Sequence, residues 1–372
     1  MTRTPNDSVL LTPGPLTTAH ETKLAMLHDW GSRDEAFIGI NQRVRDRLLS
    51  IVNAKKTYAC VPLQGSGTFI VEATLCTLIP KNAKTLVLIN GAYGKRISKI
   101  LDYSGRKYTK IISQEDNPIN PREVEKKLKS DKKLKYVVIV HCETTSGILN
   151  PIQIISKIIK KYQRSLIIDA MSSFGAIPID CKKVPFDAVI ASSNKCLEGV
   201  PGMGFAIIRK TALENCEGHS HSLSLDIFAQ WKAMELSGQW RFTPPTHVIA
   251  AFDQALTLFE AEGGVINRNS RYKENAKLLI EGMTALGFET ILKPDHQAPI
   301  IITFKMPKNP NFKFQQFYNG LKTRGFIIYP GKLTEIDSFR MGCIGHLGPK
   351  EMLSTISAVH EVLSDMNIDY IA

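Results

Sequence analysis

Lys195 stands between an apolar, β-rich run (Val189, Ile190, Ala191) and a loop carrying glycines at 199, 202 and 204. A lysine at the carboxyl end of a buried parallel strand lies where open α/β sheets bind ligands. Partial desolvation there favours its neutral amine, the form that condenses with a carbonyl. Three other segments complement such an amine. Gly65, Ser66, Gly67 and Thr68 open a helix, and offer free amides, hydroxyls and the positive end of the helix dipole to a phosphate monoester. No lysine follows the last glycine, so this is not a Walker loop, and the dinucleotide spacing is absent. Asp169 ends the run LIID, where an unpaired carboxylate is expensive. Tyr93, in NGAYG (90–94), can lay its ring across a planar ligand. Taken singly, each has a commonplace reading: a solvated lysine, a salt-bridged or capping carboxylate, a packed tyrosine.

The elements around these residues bring them together. From Thr57 onward the chain alternates strand, loop and helix: 58–63 leads into the 64–68 loop, 85–89 into NGAYG, 136–140 into HCETTSG (141–147), and 166–168 into DAMSS (169–173). The Lys195 strand follows, with 205–208 as a partner after its loop. Near-continuous apolar strands alternating with amphipathic helices predict an α/β fold, its mainly parallel sheet covered by helices on both faces. In such a sheet the five loops meet on one side. Phosphate cradle, flat ring, buried carboxylate and lysine together match pyridoxal 5′-phosphate, which requires a lysine for its aldehyde and a carboxylate at its ring nitrogen. Upstream, Pro13-Gly14-Pro15 stops the extended run SVLLTPGPLTT (8–18), which is expected to cross the surface as an arm or lid. Helices are expected over 18–29 and 37–53. The predicted organisation is an arm (1–16), a large ligand-binding domain (17–263) and a smaller C-terminal α/β domain (264–372). The last holds a helix over 264–286, strands near 290, 300–304, 326–329 and 340–341, and a closing helix over 349–365.

At 372 residues the chain can bury a large core, and 43% hydrophobic with 22% charged residues is ordinary for a soluble globular protein. The net charge of +12 raises a rival of another class, a basic nucleic-acid-binding protein. Its densest run (Lys126, Lys127, Lys129, Lys132, Lys133, Lys135) mixes with Glu123, Glu125 and Asp131 and with apolar Val124 and Leu128. That is the wet side of an amphipathic helix, and no aromatic residues interleave to stack on bases. Seven scattered cysteines without C-x-x-C point to reduced thiols in a cytoplasm. His219 and His221 have no further ligand close in sequence, which argues against a metal. No apolar signal core or membrane-length run is present.

The chain resembles the class V, fold-type I pyridoxal-phosphate aminotransferases along essentially its whole length. The residues that carry the likeness are LLTPGPLTT (10–18), LQGSGT (63–68), NGAYG, HCETTSGILNP (141–151), DAMSSFG (169–175), SSNKCLEGVPG (192–202), GHSHSLSLD (218–226), WRFTPPTH (240–247) and YPGK (329–332). DAMSSFG with SSNKC, SLSLD and WRFTPPTH resembles in particular the branch that moves an amino group from 2-aminoethylphosphonate to pyruvate. The resemblance implies that Lys195 anchors the cofactor and shuttles a proton, while Asp169 pairs with the ring nitrogen. Tyr93 stacks on the ring, and Ser66, Gly67 and Thr68 bind the phosphate. Thr144 or Thr145 meets the ring hydroxyl, and Ser172 lies beside the cofactor. Thr243 reaches the phosphate of a neighbouring subunit, implying a homodimer with shared sites. Arg340 receives the substrate anion. Residues 28–35 (HDWGSRDE) depart from the pattern, and Gly31-Ser32-Arg33 also suits serine– or alanine–glyoxylate aminotransferases, the rival within the same fold.

Overall fold

The structure, a computed structural model, describes residues 7–331, 333 and 336–371. Its first strand, β1 (Val9–Leu10), pairs in parallel with Phe326–Ile327 near the other end of the chain. The arm expected to cross the surface is therefore inserted: Leu11 is fully buried, and Leu16, Thr17 and Thr18 nearly so. Proline and glycine do break the local helix there, but Leu11 gains more by entering an apolar core than by lying in water. The helix expected over 18–29 shrinks to His20–Leu24, whose N-cap, Ala19, offers no side-chain acceptor. Helix α1 (Glu35–Ile51) begins properly, because Asp34 accepts from the Ala36 amide at 2.9 Å.

The central sheet contains β2 (Tyr58–Gln64), β3 (Lys84–Ile89), β4 (Lys107–Ile112), β5 (Leu134–Val140), β6 (Ser165–Asp169), β7 (Ala188–Ser192) and β8 (Met203–Arg209). Their order is β2-β8-β7-β6-β5-β3-β4. Only β8 runs against its neighbours, so β2, β3, β5, β6 and β7 all end on one side. Helices α2 (Gly67–Leu78) and α3 (Ala92–Tyr103) start from two of those ends. Strand β5 shows why its sequence is continuously apolar: Val137 and Ile139 enter one hydrophobic cluster, Val138 and Val140 the other, on opposite faces. Edge strand β4 was not evident in the sequence because Lys107 and Lys110 interrupt it, a common protection against edge pairing. The lysine-rich segment forms the helix Pro121–Ser130, which buries Val124 and Leu128 and leaves Lys126 and Lys129 exposed.

Helix α4 (Thr246–Glu262) passes into α5 (Gly264–Ala285) through Gly263 and Gly264, at φ 103° and 67°, a left-handed break that glycine accommodates. Beyond it a separate core collects Leu279, Met283, Phe304, Phe317, Phe339 and Val359, with Val9 and Leu11 from the arm. Its antiparallel sheet comprises β9 (Ile301–Lys305), a short strand at Tyr329–Pro330 and Ser338–Gly342, with the last in the middle. Helix α6 (Pro349–Asp365) closes this layer. Two helices that the pattern did not suggest, Ile227–Ser237 and Phe314–Thr323, pack against the two units.

Candidate active site

The convergent strand ends enclose a cavity of about 430 Å³. Its walls bring together Ser66, Gly67, Thr68, Tyr93, Asp169, Ser172 and Lys195, all singled out from sequence, and add Arg96 and Met171. They arrive from four strand ends: 65–68 after β2, Tyr93 on α3 after β3, Asp169 and Ser172 at the end of β6, Lys195 after β7.

Lys195 donates from Nζ to the Pro13 carbonyl of the arm and forms no ion pair with a described residue. Burial lowers its pKa below the ordinary lysine value, with the Tyr93 hydroxyl, Cys196 and Asp169 opposing. The arm fits the lysine closely. A Cβ on Gly14, whose φ is +117°, would lie 2.7 Å from Lys195 Cδ. Across the cavity Asp169 is 5% exposed, and its Oδ1 accepts from the Met171 amide at 3.0 Å. Oδ2 has no donor among the described residues. Burial pushes the Asp169 carboxyl up to about 6, the Met171 amide and then Arg96 and Lys195 acting the other way.

Glu143 lies in the HCETTSG loop, where its local sequence assigns it no role. Its fully buried carboxylate sits at the start of α3 and accepts from the amides of Tyr93 (3.1 Å), Gly94 (3.2 Å) and Thr145 (3.2 Å) and from Thr145 Oγ1 (2.6 Å). A carboxylate placed there complements the helix dipole and sets the position of Tyr93. Burial raises its pKa despite those donors. Thr145 is thereby committed, since its hydroxyl also accepts from the Ala92 amide at 2.8 Å. The Thr144 hydroxyl makes no hydrogen bond with a described residue, so of the two threonines it is the one left for a ligand.

Arg340 lies behind this wall, buried, on the middle strand of the small sheet. Its Nε donates to the Pro330 carbonyl at 3.1 Å and Nη1 to the Thr144 carbonyl at 2.9 Å. Nη2 has no acceptor among the described residues, and no described carboxylate pairs with the group, whose pKa burial lowers. Thr243 is exposed and stands away from the cavity lining. The 28–35 segment touches that region, since Asp29 meets His247 at 3.1 Å. Lys332 of YPGK lies outside the described residues.

The donor set suits pyridoxal 5′-phosphate. Among the described residues the carboxylate has a free oxygen and the amine no counter-ion, and the cradle leaves no room for a side chain: a Cβ on Gly67 would meet Met171 Sδ at 2.7 Å. Sheet, lysine loop and cradle define an aminotransferase of class V. That description, Aminotransferase class-V, matches residues 25–333, and the chain belongs to this family. Among its relatives, "2-aminoethylphosphonate--pyruvate transaminase 2" of Burkholderia lata is 52% identical over 360 residues, covering 97% of this chain and 96% of that one. The 2-aminoethylphosphonate--pyruvate transaminase of Pseudomonas putida (strain W619) is 50% identical over 363 residues, covering 98% and 99%. In fold, the chain resembles pyridoxamine-pyruvate aminotransferase from Mesorhizobium loti, with TM-score 0.88 and 23% identity over 98% of this chain and 95% of that one. An aspartate aminotransferase from Thermus thermophilus gives 0.86 and 22% over 96% and 99%.

Proposed function

We propose that the chain is a pyridoxal-phosphate-dependent transaminase that moves the amino group of 2-aminoethylphosphonate to pyruvate, yielding phosphonoacetaldehyde and L-alanine. The observation that carries this reading is the meeting of the ion-pair-free Lys195 amine and the Asp169 carboxylate across one cavity, in a chain half identical to transaminases bearing that name. The cofactor, when bound, supplies an aldehyde to take up the amino group and a ring to store the electrons of the broken C–H bond. Lys195 Nζ anchors it and carries the proton taken from the substrate carbon, a base made effective by its lowered pKa. Asp169 Oδ2 holds the proton on the ring nitrogen. Tyr93 covers the ring, Ser66, Gly67 and Thr68 hold the phosphate, Thr144 rather than the committed Thr145 meets the ring hydroxyl, and Ser172 lies beside the cofactor. Arg340 Nη2 receives the donor's phosphonate and then the carboxylate of pyruvate, since its planar fork fits both anions. Thr243, exposed in the single chain, reaches the phosphate in a second copy, which makes the enzyme a homodimer with shared sites. Residues 17–263 form the cofactor-binding domain and 264–372 the smaller one. Seven free thiols suit a cytoplasmic enzyme, and no helix among the described residues is long and apolar enough to cross a membrane.

Competition among 2-aminoethylphosphonate, serine and alanine as amino donors, with pyruvate or glyoxylate as acceptor, tests the reading. The pairing of 2-aminoethylphosphonate with pyruvate should give the largest kcat/KM. Faster consumption of serine or alanine with glyoxylate would overturn it.

A further inference from the structure

We propose that Arg96 is the cationic side-chain receptor for the cofactor's phosphate, a role that rests on the reading above. Arg96 follows Tyr93 by three residues on α3, a spacing that puts both side chains on the same helix face, and both line the cavity. Its Nη1 donates to Thr68 Oγ1 at 3.0 Å, and its guanidinium carbon lies 4.8 Å from the centre of the Tyr93 ring. The arginine is thus in direct contact with both the cradle and the ring-stacking residue.

The bonding pattern at Thr68 gives a direction. Its Oγ1 accepts from Arg96, so its own hydroxyl hydrogen is free to donate to a ligand oxygen. Arg96 Nε and Nη2 make no hydrogen bond with a described residue, and no described carboxylate pairs with the guanidinium, leaving a charged planar fork beside the helix start. The donors of the cradle itself are neutral amides and hydroxyls, whereas a phosphate monoester carries about −1.5 to −2 charges at neutral pH. In a cavity walled largely by protein, that charge needs a cation. Lys195 is committed to the aldehyde end, and Arg340 is held by the Pro330 and Thr144 carbonyls on the other side of the site. Among the described residues Arg96 is the cation that touches the cradle.

A tetrahedral phosphorus dianion has two sources here, the cofactor's phosphate and the donor's phosphonate, and the test separates them. Dissociation constants of pyridoxamine 5′-phosphate and of pyridoxamine are measured on the cofactor-free parent and on Arg96→Gln, together with KM for both substrates on the loaded enzymes. Charge-assisted hydrogen bonds contribute roughly 1.5–3 kcal/mol, so the preference for the phosphorylated ligand should fall roughly tenfold to hundredfold in Arg96→Gln. Pyridoxamine itself should bind about as before. Arg96→Lys, which keeps the charge and loses the fork, should retain part of the preference, and supplies the result if the glutamine variant does not fold. An unchanged preference overturns the proposal. So does a rise in KM confined to the amino donor with the preference intact, which would make Arg96 a phosphonate residue. A parent chain that binds neither ligand would instead sink the transaminase reading itself.

Discussion

Lys195 and Glu198 lie three residues apart on one loop, yet they belong to opposite kinds of buried charge. Lys195 and Asp169 line the cavity and Arg340 lies behind its wall; none is in an ion pair with a described residue, and burial favours the neutral form of each. Glu198 faces the other way, into a paired network. It meets Arg271 Nη2 at 2.8 Å, Arg268 Nη1 at 3.3 Å and the Tyr272 hydroxyl, while Glu262 takes Arg268 at 2.6 Å and Arg271 at 2.8 Å. Burial opposes the Glu198 charge, but Arg268, His346 and Arg271 outweigh it and hold the carboxyl well below the usual range. Arg268 also donates to the Cys196 carbonyl, so the network grips the backbone just beyond the lysine. Glu198 sits at φ 57°, a left-handed conformation that costs a non-glycine residue about 1–2 kcal/mol and that these contacts offset. Paired charges there serve position, whereas buried charges left unpaired among the described residues are the kind that mark a binding site.

The widest separation between the two groups should come from Lys195→Ala. It should reduce kcat by roughly 10⁴-fold or more, the upper end of a general base's contribution, and leave the urea midpoint near that of the parent. Near-normal transamination by this variant would remove the central assignment. Glu198→Gln should do the reverse in kind. Breaking a buried pair costs roughly 3–5 kcal/mol, read as a lower unfolding free energy at pH 7. Because the folded Glu198 pKa is depressed below 4.5, the parent's advantage should be complete above that pH and shrink on acidification.

Asp169→Asn sharpens the contrast through the opposite sign. The carboxyl titrates at about 6 when folded against 3.8 as its ordinary value, so in cofactor-free protein its charge costs stability above pH 6 and nothing below pH 3.8. Replacing it should therefore stabilise the cofactor-free chain at pH 7, by about 3 kcal/mol at most, with the gain fading between pH 6 and 4. The loaded variant should lose activity mainly in kcat, because the ring nitrogen loses its anionic partner. If Asp169→Asn destabilises the cofactor-free chain as Glu198→Gln does, the two clusters are alike and the comparison fails.

How much of this was legible in sequence follows from the range of each interaction. Strand runs such as LVLI and VVIV advertise burial on both faces, and the loops at their ends could be placed on one side of a parallel sheet without knowing any contact. The burial of the arm could not be read locally, because β1 finds its partner at Phe326 and Ile327, far along the chain. Arg96 did leave a signal, its three-residue spacing from Tyr93, but a single arginine on a helix carries too little information to stand out. Glu143 was visible as a residue and silent as a role, since nothing local shows its carboxylate turned to the start of α3. Glu198 depends on arginines of α5 brought in by the tertiary fold.

The smallest effect expected belongs to Arg340, which tests whether an unpaired buried charge has a ligand in view. Its environment is neither of the two extremes. Nε and Nη1 are satisfied by backbone carbonyls, as in a structural role, while Nη2 has no acceptor among the described residues, as in a binding role. Arg340→Lys preserves the charge and removes the fork, so a lysine can satisfy one of those demands at a time. Losing the charge-assisted anion contact at Nη2 should cost about 2 kcal/mol in kcat/KM. A residue that serves phosphonate and carboxylate in turn should show that loss for both 2-aminoethylphosphonate and pyruvate. The absorbance of the lysine-bound cofactor should stay unchanged, because Arg340 bonds to neither Lys195 nor Asp169. Loss for only one substrate would give the other anion a different receptor, and loss for neither would place Arg340 with the structural charges around Glu198.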